Sequence, residues 1–386
     1  MARIPLYYNR RSLFVRKLTT GASILGIALV VFVFASVQML SRGIERTLTS
    51  GGHPDNAIVL RKGSQAELVS GLDRETARII SLEPEIVTDE KGPLVSMEAV
   101  VLIVAQRRDG KGVSNITIRG VTARAAEVRA DVRIVSGRMF EHGQREIIVG
   151  QKLGERFFGT RIGESLKLGR EFFKVVGIFE AGGSAQESEA WGDADEVMAS
   201  FQRPVFSSVL ARLKPGALAA YKARVEGDQR LGSDVKAEVQ YYLDLSKNLA
   251  AFVFYLGLFV AVVFSLGATI GAMITMFAAV AARGREIGTL RAIGFSAGSI
   301  LLGFVTESAL LALLGGAIGV ALSAVMTLVS FSTMNFDSWA EVVFRFELSP
   351  RIAATSMLAA LLIGVAGGFF PARRAARMKV VDAVRT

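Results

Sequence analysis

The chain has 386 residues, 51% of them hydrophobic, and a mean hydropathy of +0.42; the length suits two or three soluble domains, but the hydropathy points to membrane-embedded sequence. It has no cysteine and only two histidines, His53 and His142, which excludes disulfide frameworks, thiolate zinc sites and His-rich metal sites. A net charge of +10 would suit nucleic acid, a reading removed by where the charges sit.

Residues 1–20 carry Arg3, Arg10, Arg11, Arg16 and Lys17 beside Tyr7 and Tyr8. Basic and aromatic side chains are favoured together at a membrane surface, so this segment is expected to form an amphipathic cytoplasmic collar, with a disordered tail as the alternative. Residues 21–41 form the first predicted span. A cleavable signal peptide would show a shorter apolar run and a small-x-small site, and Gln38-Met39-Leu40-Ser41-Arg42 offers none. Residues 249–282, 298–333 and 352–370 are the other three spans, since about 20 apolar helical residues cross a hydrocarbon core of about 30 Å.

Four spans put both termini on one side. That side holds the N-terminal cations, then Arg283, Arg285 and Arg291 in the loop 283–297, then Arg373, Arg374, Arg377, Lys379 and Arg385 in the tail 371–386, against only Glu286 and Asp382. The positive-inside rule makes it cytoplasm, so both termini are expected there, and the basicity is a topology signal with no nucleic-acid partner implied. Residues 42–248 and the short loop 334–351 are nearly balanced in charge and lie outside.

Within 42–248, the spacing of Leu68, Leu72, Ile79 and Ile80 predicts a helix from Ser64 to about Glu83-Pro84. Strand-like runs follow at Val100–Val104, Ile116–Arg119, Glu146–Val149 and Phe172–Val176; then come a strand near Phe206–Leu213, a helix around Ala217–Arg224 and a strand near Val235–Val239. The order predicts an α+β extracytoplasmic domain with a β-rich insertion at about 120–200. The acidic stretch from Glu187 to Glu196 lacks the ligand alternation of a calcium loop and reads as a solvated loop; Trp191 within it is left between packing and a partner contact. No nucleophile elbow, phosphate loop or carboxylate pair argues for catalysis, and no metal site is expected.

After the second span comes Ala279-Val280-Ala281-Ala282-Arg283-Gly284-Arg285-Glu286-Ile287-Gly288-Thr289-Leu290-Arg291-Ala292-Ile293-Gly294. It closely resembles the signature A-V-x-x-R-x-x-E-I-G-x-L-R-A-x-G of ABC transporter permeases of the MacB/LolC/FtsX superfamily. Thr306-Glu307-Ser308 through Gly315-Gly316, the tail Pro371-Ala372-Arg373-Arg374-Ala375-Ala376-Arg377, and in the outer domain Ser136 to Phe140 and Gly150 to Gly159 are similar to the same family. The resemblance implies a bacterial inner-membrane protein of four transmembrane helices with a MacB-like periplasmic domain, a dimer of permeases (two identical chains or a paralogous pair), and two ATPase subunits whose closure is relayed outward, a process called mechanotransmission. It places ATPase coupling on Arg283, Arg285, Glu286, Ile287, Gly288, Leu290, Arg291 and Gly294. With no G-x-x-x-x-G-K-[ST], the chain is expected to be non-catalytic and to bind no cofactor itself, with ATP and magnesium on the separate ATPase. Val380 stands where the family usually has proline.

Glycine pairs at Gly267/Gly271, Gly315/Gly319 and Gly364/Gly368 are expected to pack helices within or between protomers. Glu307, an acid inside the third span, is expected to bond to a neighbouring helix or the coupling loop rather than to serve a proton relay, because no second intramembrane acid or base completes one. The leading functional expectation is export or extraction of a hydrophobic or amphiphilic substrate (lipid, lipoprotein, peptide or small molecule) from the periplasmic side, with a periplasmic adaptor or outer-membrane partner. The competing one is an FtsX-like signal relay that controls a periplasmic cell-wall hydrolase without transport. A domain of some 200 residues outside favours the first.

Overall fold

The computed structural model describes residues 17–110, 112–129, 131–334, 339 and 341–378. The collar residues Tyr7 and Tyr8 and the tail beyond 378, with Val380, lie outside them. The chain divides into two compact units, one made of the spans and one made of residues 43–250 together with 330–345.

Among the described residues, four helices are long and apolar enough to cross a membrane: α1 (Lys17–Thr49), α7 (Glu238–Ala282), α9 (Ala297–Val325) and α10 (Pro350–Ala376). Two of them start on a side-chain cap. Ser296 caps α9 by accepting from the Ser299 N–H at 3.2 Å, and Ser349 caps α10 through the Ile352 N–H with Pro350 at its first turn. α1 and α7 are longer than their predicted spans; α7 begins eleven residues before Leu249 and, at 45 residues, is about 68 Å long. The third span is shorter than predicted. Its helix gives way to a 3-10 turn at Met326–Leu328, and the remaining residues of the apolar run form strand β13 (Ser330–Met334).

Between α1 and α7 lies the second unit. Its strands are β1 (Asn56–Arg61), the short pair β2 (Thr88–Asp89) and β3 (Gly92–Pro93), β4 (Val95–Gln106), β5 (Val113–Val121), β6 (Arg133–Gly137), β7 (Glu146–Gly150), β8 (Ser165–Leu168), β9 (Glu171–Glu180), β10 (Glu189–Asp193), β11 (Ser208–Arg212) and β12 (Ser233–Ala237). Among the described residues one mixed sheet runs β12-β1-β11-β4-β5-β10-β7-β9-β6, with β8 beside β6 on β9. Residues 120–200 are thus β-rich as expected, but their strands extend the same sheet.

Period-two alternation buries both faces. On β1, Ala57 and Val59 face a core with Ala77 and Ile80 of α2 (Arg74–Ser81) and Tyr221 and Val225 of α6 (Leu218–Gly227). Ile58 and Leu60 face Val128, from α3 (Ala125–Val128), and Tyr241 and Tyr242, from the start of α7. In the other half, Ile147, Val149, Phe173 and Val175 pack with Leu153 of α4 (Gln151–Gly154) and Val197 of α5 (Ala194–Ser200).

Three sequence expectations are corrected. The helix from Ser64 is only a 3-10 turn at Glu67–Val69 until α2 starts at Arg74, because Leu72 is drawn into a two-residue bridge with Phe206 (2.7 and 2.9 Å) and Asp73 then caps α2 through the Thr76 N–H. From Glu187 to Ala194 the acidic stretch is buried rather than solvated, and Asp195 near its end is exposed. Its residues form β10, parallel to β5 and antiparallel to β7, and its acids are matched: the Glu187 carboxylate accepts from the N–H groups of Ala181 and Gly183 and lies 3.3 Å from Lys152, while Asp193 caps α5. Trp191 is fully buried and packs on Phe179. The loop 334–351 holds β14 (Glu341–Arg345), paired with β13 and joined to the sheet unit through Glu341, which lies 3.1 Å from Arg107 and 2.6 Å from Arg156.

Arg119 on β5 and Arg129 after α3 sit in the sheet interior among Glu67, Glu98, Glu189 and Glu238. Burial pushes the Glu98 carboxyl up, but the Arg129 and Arg119 guanidiniums outweigh it and hold it down at about 2. A depressed carboxyl contributes stability above its unfolded value of 4.5 and loses it as the pH falls toward the folded value. Acidification from about pH 4.5 toward about pH 2 is therefore expected to loosen the sheet core cooperatively. The Trp191 indole N–H donates to Glu189, so in a Trp339→Phe background its emission should shift to the red across that interval; an emission unchanged down to pH 2 would contradict the assignment.

Candidate functional site

α7 ends at Ala282, and the next residues turn at once into the short helix α8 (Gly284–Ala292), with Arg283 as its N-terminal boundary. Glu286 in the first turn and Arg291 in the last complement the helix dipole. The turn out of α8 needs glycine, because Gly294 adopts φ +102° and the Phe295 N–H reaches back to the Leu290 carbonyl at 3.1 Å. This arrangement sorts the predicted residues by face. Gly284, Ile287 and Gly288 are buried, Ile287 against Met276, Val280, Ile300, Phe304, Ala372 and Ala375. Leu290 and Arg291 are half-buried, whereas Arg285, Glu286, Thr289, Ile293 and Gly294 face outward. The charged outward face of α8 ends on an exposed apolar residue, the C-terminal boundary Ile293, at 71%.

The two acids of the region meet at one cation. Arg283 donates from Nε to Glu286 at 3.1 Å and from Nη1 to Glu307 at 3.0 Å, and its guanidinium lies 5.3 Å from the Phe304 ring centroid. Glu307 is 6% exposed, and the Arg283 guanidinium at the helix junction is one of its partners, so α8 is pinned to α9 through it. The apolar surroundings make this pair strong only because it is geometrically matched.

The glycine pairs play different parts. A Cβ at Gly315 would sit 2.8 Å from the Ile24 carbonyl oxygen, and one at Gly319 would sit 2.6 Å from that of Ala28, so this pair seats α9 on α1. Gly364 and Gly368 seat α10 on α9 against Ala312 and Ser308. Gly267 and Gly271 meet nothing within 4 Å. They line an open apolar groove of about 310 Å³ between α7 and α1, with Ser23, Gly26 and Phe264.

The sequence reading missed three close approaches among the spans. Gly257 faces Val37, Gly316 lies against Ala360 on α10, and Gly367 lies against the backbone of Thr269 on α7. None belongs to a paired glycine motif, so spacing gave no signal for them.

A family model described as the MacB-like periplasmic core domain matches residues 18–227, more than half of the chain, and one described as the FtsX-like permease C-terminal matches residues 258–380. The macrolide export ATP-binding/permease protein MacB of Bdellovibrio bacteriovorus is 27% identical over 98% of this chain and 61% of its own length. The pyoverdine export ATP-binding/permease protein PvdT of Pseudomonas entomophila is 29% identical over 65% of this chain and 40% of its own. The extracellular domain of a noncanonical ABC-type transporter, YknZ, from Gram-positive bacteria aligns at 17% identity and a TM-score of 0.37 over 47% of this chain and 99% of that one. The chain thus spans about two fifths to three fifths of the length of these two export proteins.

Proposed function

Because the chain belongs to the MacB/FtsX-type family of ABC transporter permeases, we propose that it is the membrane subunit of an ATP-driven complex that exports or extracts a hydrophobic or amphiphilic substrate from the periplasmic side. ATP hydrolysis is supplied by an ATPase outside these 386 residues, in two copies for a pair of permeases. α8 is the docking element, and the observation that carries this assignment is its two-sided build: Ile287 and Gly288 fix it to the bundle, Arg283 ties it to Glu307, and Arg285, Glu286, Thr289 and Ile293 are left outward. The excess of cations on α8 and the chain ends supports a cytoplasmic location for them and a periplasmic one for the sheet unit. The names of the relatives, a macrolide exporter and a pyoverdine exporter, support small amphiphilic molecules as the substrate class.

The open Gly267/Gly271 face supports a second permease chain as its occupant, since a small-residue groove lets two helices approach closely. α7 also exposes Phe252, Tyr255, Phe259 and Ile270, an apolar surface that suits lipid or a partner helix. Driven by the ATPases, the long α1 and α7 helices act as levers for the sheet units, which suits mechanotransmission better than a path through the spans, whose walls offer few polar groups.

Charge reversal at the docking face tests the proposal. Glu286→Arg is expected to leave the protein folded in the membrane while lowering coupled transport by about tenfold or more, the loss of one charged interface contact. A compensating reversal on the ATPase should restore it. Wild-type transport in Glu286→Arg would remove Glu286 from the interface, and rescue by Arg283→Glu within the chain would show that the internal pair was all that mattered.

A further inference from the structure

We propose that Glu238 is the knot of a mechanical joint: a buried chain of alternating charges, Glu238, Arg129, Glu98 and Arg119, makes the sheet unit follow the two long helices through which the polypeptide enters and leaves it. The proposal rests on the permease reading above.

Glu238 is fully buried in the first turn of α7. Its Oε2 accepts from the backbone N–H of His53 at 2.9 Å, in the short link from α1 to β1, and from Asn56 Nδ2 at 2.8 Å, on the first residue of β1. Its Oε1 accepts from Arg129 Nη1 at 2.7 Å. One carboxylate therefore holds the entry and the exit of the domain together.

From there the path runs inward. Arg129 donates from Nη2 and Nε to Glu98 in the middle of β4 at 2.9 and 3.2 Å, and from Nη1 to the Tyr242 hydroxyl, one turn along α7 from Glu238. Glu98 also accepts from Arg119 Nη1 at 2.6 Å, and Arg119 completes its fork on Glu67 before α2 and Glu189 of β10. Each carboxylate oxygen of the four glutamates accepts a hydrogen bond. Apolar side chains of the same volume would hold such a core at least as firmly. What charges add is direction, because a guanidinium fork fixes both the distance and the angle between the elements it joins.

The test uses the complex with its cognate ATPase, reconstituted in lipid. A spin label on a non-natural amino acid at position 104, an exposed site on β4, reports the distance between the two sheet units with and without ATP. Glu238→Gln keeps the shape and removes the charge. The expected result is an ATPase rate within about twofold of the parent and an ATP-driven distance shift reduced by about half or more. Arg129→Lys, which keeps the charge and loses the fork, should give the same split.

Restoration then separates a joint from simple destabilisation. A Cβ on Gly52 would lie 3.2 Å from the Val239 Cα, so the two backbones are immediate neighbours, and the chain has no cysteine to compete with a pair placed there. In the Glu238→Gln background, Gly52→Cys with Val239→Cys should recover the shift when oxidised and lose it when reduced. A full shift in unstapled Glu238→Gln overturns the joint, as does an oxidised staple that recovers thermal stability without recovering the shift. If the unmodified complex shows no ATP-driven shift at all, the permease reading falls and the joint with it.

Discussion

Gly319→Leu is expected to prevent normal assembly of the span unit. The added Cβ alone would stand 2.6 Å from the Ala28 carbonyl oxygen and 2.8 Å from Val31 Cβ. No rotamer relieves a clash with backbone, so α9 has to move away from α1, and Ile27 and Val31 lose their buried places beside Ala312 and Ala360. Overpacking of this kind costs about 1–3 kcal/mol when side chains can adjust, and the fixed carbonyl puts this case at the upper end or beyond. The result should be a large drop in the amount of monodisperse protein recovered from membranes and in its melting temperature. Gly267→Leu is the internal control, because nothing stands within 4 Å of that position. It should melt normally and weaken only association between chains. Equal behaviour of the two variants would contradict the packing described.

The second large effect is expected at Arg283. Arg283→Ala removes the guanidinium that lies 3.0 Å from Glu307, and breaking one side of a buried ion pair costs about 3–5 kcal/mol. α8 also loses its tie to α9, so docking should suffer along with stability. Adding Glu307→Gln to that background removes the stranded charge and should recover much of the stability, since the cost lies in the unmatched partner more than in the lost bond. Glu307→Gln alone should be mild. If instead it abolished transport in a stably folded protein while Arg283 was intact, Glu307 would belong to proton chemistry and not to the helix junction.

The membrane half was legible in the sequence because its signals are long. Apolar runs, basic flanks and a sixteen-residue signature each extend over several turns, and tertiary context cannot easily override them. Span ends were less legible: the run 298–333 is interrupted by a charge only at Glu307, and only strand pairing of Ser330–Met334 with Glu341–Arg345 converts its last residues from helix to hairpin. The sheet unit was misread where charge was taken as a mark of solvent. Glu189 and Glu187 look like surface residues until Arg119 and Lys152, distant in sequence, are brought to them. The signal that was present, a charge inside an apolar strand at Ile116-Thr117-Ile118-Arg119, identifies a buried ion but not its partners. In the same way, three glycine pairs share one spacing, and only the fold separates the two that are filled within the chain from the one left open.

If α8 docks on an ABC ATPase, a photo-cross-linking amino acid placed in cells at Thr289, on its outward face, should capture that subunit. Position 104 on β4 and position 287 on the buried face of α8 serve as comparisons. The expected result is a product at 289 containing a protein with a G-x-x-x-x-G-K-[ST] phosphate loop, and no such product at 104 or 287. A cross-link to that ATPase from position 104, or from 289 only to extracytoplasmic proteins, would contradict it.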